Sequence, residues 1–143
     1  HNGLTFCAGS FSAGEHNDCV AMAKQFADRT HFVHLRSCYI FPNGNFTEAS
    51  HLGGRGYLIE LCRIFEKAEQ EGKCNSGRRL PMRVDHGMTF TDEPGGVFDE
   101  SNHGHNAGYT LLGRMFAMGQ IQGVIATVDD ELGIEYKQPG FYD

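Results

Sequence analysis

The chain has 143 residues, 40% of them hydrophobic, enough for one ordinary domain core and no reason to propose two. A net charge of −6, with Lys and Arg scattered rather than clustered, argues against a nucleic-acid footprint or an anionic-membrane surface and favours a small-molecule ligand. No run approaches the roughly 20 apolar residues that span a bilayer, and the N-terminus lacks the basic and apolar regions of a signal peptide, so a soluble protein is expected.

Five cysteines (Cys7, Cys19, Cys38, Cys62 and Cys74) form no CxxC pair, and an odd number cannot pair fully within one chain. A reducing cytoplasm fits better than a secreted disulfide framework. The chain starts at His1 directly before a strand-like run, as expected of a fragment cut from something longer.

Leu4-Thr5-Phe6-Cys7 reads as a first strand, and Ala8 to Gly14 as a small-residue loop. Asn17 or Asp18 then caps a helix whose stripe is Cys19, Met22, Ala23 and Phe26. His31 to Leu35 is a second strand. The loop from Arg36 to about Gly56 is longer than connections usually are, and long ordered loops tend to be functional. Leu58, Leu61, Cys62 and Phe65 repeat the helical stripe, with a stop near Gly72. Leu80 to Val84 is a third strand, with Pro81 restricted to its beginning or to a sheet edge.

From Gly87 to Gly108 no apolar period survives, which predicts a loop or lid. Leu111, Leu112, Met115, Phe116, Ile121 and Ile125 mark a last helix, with Gly119 or Gly123 as candidate interruptions. Residues 1–128 form the βα units and 129–143 an acidic tail. Alternating strands and helices predict an α/β fold with a parallel sheet. Three units are too few to close an eight-stranded barrel, whose typical length is about 250 residues.

Each strand run ends at or near a metal-capable side chain: Cys7, His34 and Asp85. A thiolate, an imidazole and a carboxylate are all competent for a divalent transition metal, and strand C-terminal ends are where β/α barrels gather their chemistry. Each residue also has an ordinary reading, as a small core residue, a hydrogen-bonded strand histidine and a turn former. His86, beside Asp85, is a candidate general acid or base. Arg36 and Arg83 are candidates for a bidentate contact to a substrate carboxylate, with opposite alternation putting one inside the site and one outside. His51, His103 and His105 fall in the long loops, poor places for rigid coordination. Tyr109, at the start of the last helix, is placed to aim its hydroxyl at the site or simply to pack.

Leu4-Thr5-Phe6-Cys7-Ala8-Gly9-Ser10, Asn17-Asp18, His31-Phe32-Val33-His34-Leu35-Arg36, Pro81-Met82-Arg83-Val84-Asp85-His86-Gly87 and Gly108-Tyr109-Thr110-Leu111-Leu112-Gly113-Arg114, in that order, resemble the C-terminal part of a mannonate dehydratase of the bacterial hexuronate pathway. The resemblance spans residues 3 to about 126. It implies the C-terminal portion, about three βα units, of a (β/α)8 TIM-type barrel that converts D-mannonate to 2-dehydro-3-deoxy-D-gluconate and water, with Mn²⁺ or Fe²⁺ required. It places Cys7, His34 and Asp85 on the family's metal-ligand positions and His86 and Tyr109 on positions implicated in catalysis. A remaining histidine ligand of the family would lie upstream of His1. The isolated chain is therefore expected to be inactive and to associate with the missing half of the barrel or with another copy. A divalent-metal barrel sugar isomerase and a non-catalytic, self-associating half-barrel are the alternatives.

Overall fold

In the computed structural model, which describes residues 2–90 and 108–135, strand β1 (Leu4–Cys7) leads without a break into a short helix α1 (Ala8–Ser12). The small-residue stretch expected to be a loop therefore opens with helix. Cys7 causes this, because its Sγ accepts from the Ser10 N–H at 3.4 Å and caps α1. Helix α2 (Cys19–Phe26) is capped by Asp18, whose Oδ1 accepts from the Ala21 N–H at 2.9 Å. Asn17 instead donates from Nδ2 to the Phe11 carbonyl at 3.0 Å, closing the turn between the helices.

Strand β2 (Thr30–His34) begins one residue earlier than His31. The long loop that follows contains an antiparallel hairpin, β3 (Cys38–Ile40) and β4 (Phe46–Glu48). Its turn runs through Asn43-Gly44, where Gly44 supplies the positive φ of 84° that tight hairpin turns favour. Helix α3 (Leu58–Gln70) ends as expected at Gly72, with φ of 66°. There Gly72 N–H donates to Glu69 and Lys73 N–H to Ala68, the paired bonds of a Schellman stop.

Strand β5 (Met82–Arg83) is shorter than the run Leu80–Val84. Pro81 precedes it and offers only its carbonyl, which accepts from Val33 N–H at 3.0 Å. Helix α4 (Leu111–Leu132) passes unbroken through Gly119 and Gly123 and continues to Leu132, inside the stretch 129–143 expected to be a tail.

The sheet order is β1-β2-β5, all parallel, with Cys7 opposite His34 and His34 opposite Arg83. One face carries Phe6, Val33 and Leu35, fully buried against Leu58, Leu61 and Phe65 of α3. Phe6 meets Phe65 edge-on at 5.2 Å and Phe11 at 4.9 Å, so truncating it would cost about 3–5 kcal/mol. On the other face Thr5 is exposed, and Phe32, Cys7 and His34 are half-buried. Helix α4 buries Ala117, Ile121, Val124 and Val128, while Leu111, Leu112, Met115, Phe116 and Met118 are exposed. By length and composition it is long and apolar enough to cross a bilayer, in contrast to the expectation that no run of the sequence is. The same helix also packs into the core along one side.

Candidate metal centre and active site

The parallel register brings the strand-end residues together. Cys7 and His34 share a rung, and the chain leaving β5 delivers Asp85 two residues after Arg83, in a left-handed conformation (φ 57°) rare for a non-glycine residue. One candidate ligand atom from each of Cys7, His34 and Asp85 lies within 4.8 Å of the other two. Ligands bonded to one ion at about 2.0–2.3 Å stand roughly 3.3–3.8 Å apart at tetrahedral angles, so a cation would draw the set together by up to about 1–1.5 Å.

Asp85 is buried, and its two oxygens have separate tasks. Oδ1 accepts from Arg83 Nη2 at 2.7 Å and from the Tyr109 hydroxyl at 3.0 Å. Oδ2 faces His34 Nδ1 at 3.7 Å and remains on the side of the donor trio. Burial is the main influence on His34 and lowers its pKa. The Asp85 carboxylate opposes that, while Arg83 and His86 reinforce it. Neutral imidazole is the form that binds metal. Cys7 Sγ also accepts from Ser10 Oγ at 3.1 Å, a contact that orients the sulfur. Thiolate, imidazole and carboxylate held this close fit a divalent transition metal.

Beside this trio, the His86 ring lies edge-on to Tyr109, with centroids 4.4 Å apart, and the Arg114 guanidinium sits over the Tyr109 ring at 5.5 Å. Arg83 Nη2 also donates to the Tyr109 hydroxyl at 3.2 Å. All of the expected site residues except Arg36 thus touch one another or the trio. Arg36, expected at a substrate carboxylate, instead grips Glu48 with Nε at 2.9 Å and Nη2 at 2.6 Å. Burial would lower its pKa, but the Glu48 hydrogen bonds and charge outweigh this and raise it.

Sequence reasoning passed over Glu48, whose Oε1 is 2.9 Å from His86 Nδ1. Its signal was the unusual length of the loop carrying it. His51 is no ligand: it is buried, and its Nε2 meets the Val84 carbonyl at 3.0 Å, clamping the backbone just before Asp85. His103 and His105 lie outside the described residues.

Parallel βα units that gather a cysteine, a histidine and an aspartate at their strand ends, beside a second histidine and a tyrosine, define a class: α/β proteins with a candidate metal centre at the C-terminal ends of a parallel sheet. Residues 1–134 match the family described as D-mannonate dehydratase (UxuA), and the chain belongs to that family. It is 38% identical over 134 residues to mannonate dehydratase 2 of Agrobacterium fabrum, covering 92% of this chain and 32% of that protein. It is also 38% identical over 130 residues to a mannonate dehydratase of Saccharophagus degradans, covering 90% and 31%. The crystal structure of mannonate dehydratase from Streptococcus suis serotype 2 has the same fold, with a TM-score of 0.70 at 20% identity over all of this chain and 38% of that one. The chain spans about a third of the length of these curated relatives.

Proposed function

We propose that this chain is the C-terminal portion of a (β/α)8 barrel hydro-lyase that converts D-mannonate to 2-dehydro-3-deoxy-D-gluconate and water in cytoplasmic hexuronate catabolism, using Mn²⁺ or Fe²⁺. The observation that carries this reading is the convergence of Cys7, His34 and Asp85 within 4.8 Å at the ends of adjacent parallel strands, in a member of the mannonate dehydratase family. The half-exposed sheet face bearing Thr5, Phe32, Cys7 and His34 has the character of a barrel interior from which the other staves are missing.

Dehydrating an aldonic acid removes a proton from the carbon next to the carboxylate and expels the hydroxyl of the following carbon. The resulting enol then becomes the ketone. Cys7, His34 and Asp85 would hold the cation, which when bound supplies positive charge to the substrate oxygens that gain electron density. His86 and Tyr109, in ring contact, form the pair that moves protons. Arg83 is 40% exposed and, among the described residues, reaches Asp85 and Tyr109 through Nη2, so its other N–H groups are the ones that would meet the substrate carboxylate. Arg36 is committed to Glu48 and does not take that role.

In the full-length protein, His86→Asn is expected to lower mannonate turnover by about 10²-fold or more while metal content stays unchanged. Normal turnover would refute the assignment. The isolated 143-residue chain is expected to show negligible turnover and to associate through its open sheet edges. Measurable dehydration, or a monodisperse monomer by light scattering, would overturn these two expectations. A ketose panel assayed alongside mannonate separates a sugar isomerase from a dehydratase.

A further inference from the structure

We propose that Glu48, delivered by the β3–β4 hairpin, is a positioning residue that holds His86 as its Nδ1–H tautomer. The inference rests on the functional reading above only for its kinetic consequence.

The geometry points one way. Glu48 Oε1 lies 2.9 Å from His86 Nδ1, with the two side chains 8% and 11% exposed. A carboxylate has no proton to give, so the imidazole nitrogen facing it carries the hydrogen, and Nε2 of the neutral ring is left with its lone pair. Free neutral imidazole side chains favour the opposite tautomer, so a fixed acceptor at Nδ1 changes the nitrogen available for proton transfer. The acceptor is itself fixed: Arg36 holds both Glu48 oxygens through a fork that leaves the carboxylate one orientation. Arg36 lies against Gly9, where an added Cβ would come within 2.1 Å of Arg36 Cδ. Gly108, at φ 90°, closes the other side. A Cβ there would stand 2.8 Å from His86 Cβ and 3.0 Å from Glu48 Cγ. The Gly108 carbonyl accepts from Gly87 N–H at 2.8 Å, tying the return of the chain to the residue after His86. A chain from Arg36 through Glu48 to His86 thus orients the imidazole, and it gives a role to the hairpin inside an otherwise overlong connection.

The test is ¹⁵N spectroscopy of the full-length protein, metal-free and labelled at histidine, with mannonate kinetics on the loaded enzyme. In the parent, His86 is expected to show a protonated Nδ1 and an unprotonated Nε2. Glu48→Ala is expected to move His86 toward the Nε2–H form and to lower kcat by about 10–100-fold, with KM changed by less than about threefold. Glu48→Gln can offer His86 Nδ1 its one amide oxygen only by turning its NH2 group toward the Arg36 Nε–H, so it is expected to recover the Nδ1–H signature in part, with kcat between those of the parent and of Glu48→Ala. Its fold can be checked by circular dichroism against the parent. An unchanged tautomer in Glu48→Ala, or a shifted tautomer with unchanged kcat, overturns the proposal. A parent protein without mannonate turnover refutes the functional reading instead and leaves the tautomer measurement to decide the role of Glu48.

Discussion

Two regions of this molecule bury carboxylates, and they treat them in opposite ways. At the strand ends, Asp85 is met by Arg83 and the Tyr109 hydroxyl, and Glu48 by Arg36 and His86. Between α3 and α4, Glu66 and Asp129 face each other with little compensation. Burial is the largest influence on Glu66, the charges of Asp129 and Glu69 add to it, and Arg79 only partly offsets them, so its pKa is pushed up to about 7. Burial likewise raises Asp129, whose Oδ1 has no hydrogen-bond partner among the described residues. Burial alone therefore does not mark a site. What distinguishes the strand ends is that each acid is held in one orientation by donors, which is the condition for binding a cation or steering a proton.

The contrast breaks most sharply on neutralising one acid from each region. In the full-length protein, Asp85→Asn is expected to weaken Mn²⁺ binding by more than about 100-fold, beyond the range for partners outside the ligand set, and to remove mannonate turnover. Metal analysis after gel filtration and a turnover assay would check this, and retained stoichiometric metal would count against Asp85 as a ligand.

The backbone frame gives the next largest effect. An added Cβ at Gly113 would lie 2.2 Å from the Met88 carbonyl oxygen, where the start of α4 presses on the segment after His86. Gly113→Ala should destabilise the protein by about 2–3 kcal/mol in urea unfolding. In the same helix a Cβ on Gly119 would meet nothing within 4 Å among the described residues, so Gly119→Ala should stabilise by about 0.5–1 kcal/mol. Equal responses at the two positions would contradict the close approach.

Glu66→Gln sharpens the comparison from the other side. A carboxyl whose pKa is raised on folding leaves the native state at full stability below the unfolded value of about 4.5, and that contribution is lost as pH rises through about 7. Glu66 is half-buried, so screening reduces the effect. The variant should be about 1–2 kcal/mol more stable than the parent at pH 8 and indistinguishable from it near pH 4.5. A variant less stable at pH 8 would show that Glu66 is compensated after all.

Much of this was legible along the chain. The strand runs ending at Cys7 and His34 contain alternating positions that the sheet resolves into a buried and a half-buried face, and the α2 and α3 stripes were local patterns with local stop signals such as Gly72. The short helix after Cys7 was hidden because a cysteine cap does not look like the usual Ser, Thr, Asp or Asn. The hairpin at 38–48 was hidden because its strands are three residues each, too short to display a period.

The sequence by itself determined which residue types stand at the strand ends, because cysteine, histidine and aspartate there are covalent facts and their neighbours form recognisable motifs. Only the tertiary structure decided which of them act together. The pairing of Cys7 with His34, the division of Asp85 between Arg83 and His34, and the diversion of Arg36 to Glu48 depend on strand register and on a hairpin folding back over 12 residues. Hydrogen bonds and charge pairs act over a few ångströms in space, and sequence distance carries no record of that separation.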